Sequence, residues 1–141
     1  MHTSIIARTF VTVALGTVLA LGGCGGPRTF MARGTQRDPG SDARIQVENL
    51  DGGNHLITMT ATNITPPDRI GDGNTVFLVW IRLPNGQTTM ESQLAYSPDE
   101  RTGRATITTP QERFVLIVTA ETDANVTAPS DRTVFQQDIS L

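Results

Sequence analysis

The sequence predicts an all-β fold, a seven-stranded antiparallel β-sandwich over residues 44–141. Two observations point there. Short runs rich in Val, Ile, Thr and Phe recur along the chain, each bounded by Gly, Pro, Asn or Asp. No run of ten or more residues in this region keeps a helical period without a turn signal breaking it.

The elements follow in order. Residues 43–50, ARIQVENL, alternate and meet Asp51-Gly52-Gly53-Asn54, a turn whose glycines can take positive φ. Residues 55–64, HLITMTATNI, put Ile57, Met59 and Ala61 on one face and Thr58, Thr60 and Thr62 on the other, so the two segments read as a hairpin with one wet face. Thr65-Pro66-Pro67 stops the pairing, because proline lacks the donor and restricts the residue before it, and a loop runs to Asn74. Residues 75–83, TVFLVWIRL, are apolar on both faces, and Pro84-Asn85-Gly86 turns the chain back. Residues 92–96 form a weaker strand before the polar turn Ser97 to Gly103. Residues 104–109 alternate until Pro110, residues 114–121 are again apolar on both faces, and residues 133–141 close the chain as an alternating strand.

Seven strands at this spacing imply immunoglobulin-like connections. The cysteine pair of antibody-type domains is missing, and Phe114 stands where a tyrosine opens their sixth strand; Trp80 on the third strand is the hallmark that remains. The succession Phe77-Leu78-Val79-Trp80-Ile81, Gly86, Leu94-Ala95-Tyr96, Thr102-Gly103-Arg104, residues 114–121 and Ala128-Pro129-Ser130 resembles the extracytoplasmic C-terminal domain of anti-sigma-K factors. That resemblance implies a sandwich. It does not extend to a cytoplasmic sigma-binding region or a spanning helix, so sigma-factor binding is not expected.

Ahead of the sandwich, Arg8 is followed by TFVTVALGTVLAL, residues 9–21, shorter than the roughly 20 residues of a spanning helix and suited to the apolar core of a secretory signal. Leu21-Gly22-Gly23-Cys24 stands where cleavage would fall. This tetrapeptide resembles the lipobox of bacterial lipoproteins. Small residues let the chain lie extended in a peptidase, and the thiol of Cys24, the chain's one cysteine, is nucleophilic enough to accept a diacylglyceryl group. The resemblance implies thioether lipidation of Cys24, cleavage between Gly23 and Cys24, and acylation of the new amino terminus. At about 0.8 kcal/mol per buried methylene, two or three acyl chains anchor durably where one would not. A buried free cysteine, or an ordinary signal peptide, is the competing reading. Gly25 is not the aspartate that favours inner-membrane retention in enterobacteria, which in a Gram-negative cell favours the outer membrane, facing the periplasm, without fixing which membrane holds the anchor.

The expected organisation is therefore a signal peptide at 1–23, a lipidated N-terminus and flexible linker at 24–43, and one sandwich domain at 44–141. Residues 25–43 are rich in Gly, Pro, Ser and charge and hold no period, as a tether would.

Cleavage would leave ten arginines, no lysine and fourteen acids, a net side-chain charge of −4. No basic patch can neutralise a run of phosphates, so nucleic acid is not an expected partner, and Schiff-base lysine chemistry is absent. The mature chain has one histidine, His55, expected as an exposed residue after the hairpin turn; a catalytic triad built on it is the competing reading. Four zinc ligands of Cys and His type cannot be assembled, so no metal or other cofactor is expected. Asp68, Asp72 and Asn74 could offer oxygens to calcium, but the spacing does not match the twelve-residue calcium loop, and turn-forming residues explain them.

The two doubly apolar strands raise the remaining question, since only one face of a sandwich strand meets the core. Arg82 is hard to bury unpaired, which puts Val76, Leu78 and Trp80 outside with Val115 and Ile117, as an exposed face for a partner. The opposite assignment seats Trp80 in the core, and cover by the tether or by loop 65–74 is a third arrangement. Together these observations lead to the expectation of a lipid-anchored envelope protein whose domain is not an enzyme. It would bind another envelope protein or support an assembly; a small periplasmic inhibitor of a hydrolase, presenting loop 65–74, is the alternative.

Overall fold

The computed structural model describes residues 26–141. Leu21, Gly22, Gly23 and Cys24, and with them the signal peptide and lipidation site, lie outside the described residues. Nine strands and one helical turn follow: β1 (Arg28–Arg33), β2 (Asp42–Asn49), β3 (His55–Thr62), α1 (Pro67–Ile70), β4 (Val76–Arg82), β5 (Thr88–Gln93), β6 (Ala95–Ser97), β7 (Thr102–Thr109), β8 (Arg113–Glu121) and β9 (Thr133–Ser140). All neighbouring strands pair antiparallel, in a five-stranded sheet of order β1-β2-β3-β7-β6 and a four-stranded sheet of order β5-β4-β8-β9. Among the described residues no helix is long and apolar enough to cross a membrane.

One apolar core lies between the sheets. Ala43, Ile45 and Val47 of β2 and Ile57, Met59 and Ala61 of β3 face Phe77, Val79 and Ile81 of β4 and Leu116 and Val118 of β8. The alternation in β2 and β3 sets this directly, since residues two apart share a face. The hairpin closes with Asn49 opposite His55, and Gly52 and Gly53 adopt φ of 83° and 79°, which a side chain would strain.

The strand count is nine rather than seven, and both extra strands have a physical cause. Residues 25–43, expected as a tether, contain β1, which pairs with β2 along its whole length, from Arg28 opposite Val47 to Arg33 opposite Asp42. Only Phe30 and Ala32 turn inward from β1, so its apolar alternation is too short to stand out among charged neighbours. The turn after it is ordered as well: buried Asp38 accepts hydrogen bonds from the Thr65 amide (3.0 Å) and hydroxyl (2.7 Å). The folded domain thus begins near residue 28 instead of 44.

The second addition comes from splitting the weak strand at 92–96. Thr88–Gln93 forms β5 beside β4, Leu94 crosses between the sheets with its amide on the Phe77 carbonyl (2.9 Å), and Ala95–Ser97 forms β6 beside β7. Leu94 is 1% exposed, so a buried leucine marks the crossing.

The registers give the domain two ends. Connections 50–54, 83–87 and 110–112 gather at one, the base, together with the start of β1 and the last residues of β9. Residues 34–41, 63–75, 98–101 and 122–132 gather at the other, the loop end.

Candidate functional site

β4 sends Phe77, Val79 and Ile81 into the core between the sheets and turns Leu78 and Trp80 to the opposite face, the face chosen on the strength of Arg82. There Leu78, Trp80 and Ile117 form a second apolar cluster, flanked by half-buried Val76 and Val115. The cluster is not exposed. The β8–β9 connection, residues 122–132, folds across it and packs Ala124 and Val126 onto it. Trp80 and Leu78 are 0% exposed and Ile117 4%, so the expected open partner face is closed, and by neither the tether nor loop 65–74. Trp80 also departs from the antibody hallmark, because it lies outside the core between the sheets.

Polar groups on the same face hold the cover down. Trp80 Nε1 donates to Thr119 Oγ1 at 2.8 Å, and the Thr119 hydroxyl donates to Glu121 Oε1 at 2.6 Å. The Ser130 amide donates to the same carboxylate oxygen at 2.8 Å. Glu121 is 3% exposed, and a buried carboxylate is tolerated when such donors satisfy it.

His55 is buried rather than exposed: its Nδ1 lies 2.9 Å from Asn49 Oδ1 across the hairpin. It sits at the base, opposite Thr109, and among the described residues no three His, Cys, Asp or Glu side chains converge on a metal position. Asp68 and Asp72 are exposed while Asn74 is buried, and neither polar atom of the Asn74 side chain finds a partner among the described residues.

The loop end holds a groove of about 540 Å³. Pro66, Pro67 and Asp68 make one wall; Gln93, Tyr96 and Pro98 make the other. Beside it, two residues adopt the left-handed region, Asn63 (φ 57°) and Arg101 (φ 53°), and the Ile64 amide donates to the Arg101 carbonyl. The Arg101 guanidinium returns donors to the Ile64 and Asn63 carbonyls at 3.1 and 3.0 Å. Tyr96 donates its hydroxyl to the Ile64 carbonyl at 3.2 Å, and its ring meets Phe77 edge-on, centroids 5.2 Å apart. Burial lifts the Tyr96 phenol above its ordinary pKa, an effect opposed by Arg101 and reinforced by Asp38 and Asp68. The one histidine of the described residues, His55, stands at the opposite end.

No family model, curated protein or solved structure matches the chain.

Proposed function

We propose that the chain is a lipid-anchored bacterial envelope protein whose domain is a non-enzymatic binding module, engaging another envelope protein or supporting an assembly. The observation that carries this reading is Leu21-Gly22-Gly23-Cys24 directly after an apolar run, with the one thiol of the chain where lipid would be attached. The domain itself is read as immunoglobulin-like. The order β2-β3-β7-β6 against β5-β4-β8-β9 supports that reading, with β1 as an added edge strand. The likeness to the extracytoplasmic domain of anti-sigma-K factors belongs with it, as a sandwich on the envelope side of a membrane.

With the Trp80 face covered, the partner surface in this reading is the loop-end groove between loop 65–74 and Tyr96. A second reading, a periplasmic hydrolase inhibitor, draws on the same loop. There α1 stiffens Asp68 and Arg69, both exposed, on a support tied down through Thr65 and Asp38.

Photo-crosslinkers at Gln93 and Asp68 in intact cells test the module. Adducts with one defined envelope protein, absent when the crosslinker sits at exposed Thr106 on β7, are the expected result; identical adducts from all three sites contradict it. Inhibition of that partner's hydrolysis by the purified domain would select the second reading.

A further inference from the structure

We propose that the base of the domain is its bilayer-facing surface, resting against phospholipid headgroups, so that the loop end points away from the membrane. This rests on the lipidation of Cys24 and adds to it an orientation. Arg28 opens β1 opposite Val47, and its guanidinium donates to the Ser140 carbonyl at 3.4 Å, which fixes the start of the folded chain at the base. Cys24 precedes Arg28 by four residues. Fully extended, four residues reach about 14 Å, whereas an eight-residue strand such as β2 spans about 26 Å. A lipid on Cys24 can therefore lie beneath the base and cannot lie beneath the loop end. The long, compliant tether expected at 25–43 would have allowed any orientation; the pairing of β1 with β2 removes that freedom.

The surfaces of the two ends agree with this placement. The base presents Leu50, 41% exposed at the hairpin tip, and the arginines Arg28, Arg82 and Arg113, none of them in an ion pair among the described residues. Arg82 and Arg113 flank an open hollow of about 370 Å³ that also takes in Pro84 and Asp138. Glu48, Asp51, Glu112 and Asp138 share this end, four acids against three arginines, so an anionic leaflet repels it less than it repels the more acidic loop end. At the loop end the exposed acids, among them Asp42, Asp68, Asp72, Asp99, Glu100 and Asp123, outnumber the exposed arginines Arg33, Arg37, Arg69 and Arg101. An anionic surface therefore repels the loop end and leaves the base as the end that meets it.

Lipidation of Cys24 would leave an introduced cysteine as the only free thiol, which makes the test direct. The full chain purified from bacterial membranes carries a fluorophore at Gln87→Cys on the base or at Asp72→Cys at the loop end. Each is reconstituted into phosphatidylglycerol–phosphatidylethanolamine vesicles containing a headgroup-linked quencher. The expected result is severalfold stronger quenching at residue 87 than at residue 72. Equal quenching, or stronger quenching at 72, overturns the orientation. The acyl mass on Cys24, measured on the same sample, separates the two ideas: acylated protein with equal quenching overturns the orientation alone, and protein without acyl chains overturns the reading beneath it. The Arg82→Glu, Arg113→Glu double variant is expected to lose part of the quenching at 87 in these vesicles and none in vesicles of phosphatidylcholine alone. No loss in either would overturn the headgroup contact at the hollow.

Discussion

Trp80 Nε1 donates to Thr119 Oγ1 at 2.8 Å on the face of the four-stranded sheet turned away from the main core. The bond places the chain's single tryptophan in a relay that continues through Glu121 to the backbone of Ser130, tying the sheet to the connection that covers it. Removing the middle of this relay leaves an indole N–H unpaired and takes one of two donors from a buried carboxylate. Thr119→Val is therefore expected to cost about 1–3 kcal/mol, read as a lower midpoint in chemical unfolding, and Thr119→Ser to cost clearly less. Equal stability for the valine variant and the parent would show that the relay contributes nothing.

The cover itself can be followed by tryptophan emission. Trp80 is expected to emit at short wavelength and to resist quenching by acrylamide. Val126→Asp puts a charge onto the cluster and is expected to shift the emission to the red and raise the quenching, with far-ultraviolet dichroism retained. Unchanged emission would mean that Ala124 and Val126 do not shield the indole.

The segment ahead of β2 makes a separate prediction. If residues 28–41 are part of the fold, Asp38→Ala loses two hydrogen bonds to Thr65 and costs about 1–3 kcal/mol. Deleting residues 26–33 lowers the unfolding midpoint further by removing Phe30 and Ala32 from the core. A midpoint unmoved by the deletion would restore the tether.

Tyr96 is the one tyrosine, so its ionisation is isolated in the tyrosinate absorbance. Burial raises its folded pKa above that of the unfolded chain, so the folded state keeps the proton after the unfolded state has lost it. Stability from this group is full below the ordinary tyrosine pKa and is lost as pH rises through the higher folded value. The absorbance midpoint of the folded protein is expected above that of the urea-unfolded chain, and Tyr96→Phe is expected to flatten the alkaline loss of stability. Coincident midpoints would contradict the desolvation of the phenol.

Much of the fold was legible because period-two alternation writes a hairpin directly: Ile57, Met59 and Ala61 were assigned to the core and lie there. Strand β1 was hidden because Phe30 and Ala32 are its only inward side chains, and strand β5 because Thr88–Gln93 is an edge segment with exposed side chains and no apolar face to mark it. The candidate site was half legible. Arg82 argued for turning Leu78 and Trp80 away from the main core, since a charge resists burial, and sandwich precedent argued for seating Trp80 within it; the two side chains lie away from the main core. What covers that face depends on how residues 122–132 fold back, through a carboxylate partner nine residues along the chain, and local patterning carries no such distance information. The loop-end groove was beyond reach for the same reason, since Tyr96 on one side of it is tied to the Ile64 carbonyl, ahead of Pro66 and Pro67, by a side-chain hydrogen bond across more than thirty residues.

The proposed function stands on the lipid at Cys24. Its most direct test is the intact mass of the protein extracted from bacterial membranes, with fragmentation of the N-terminal peptide. A chain beginning at Cys24 and carrying a diacylglyceryl thioether with an acylated amino terminus is the predicted result. An unmodified Cys24 within a chain that still retains residues 1–23 would contradict the account.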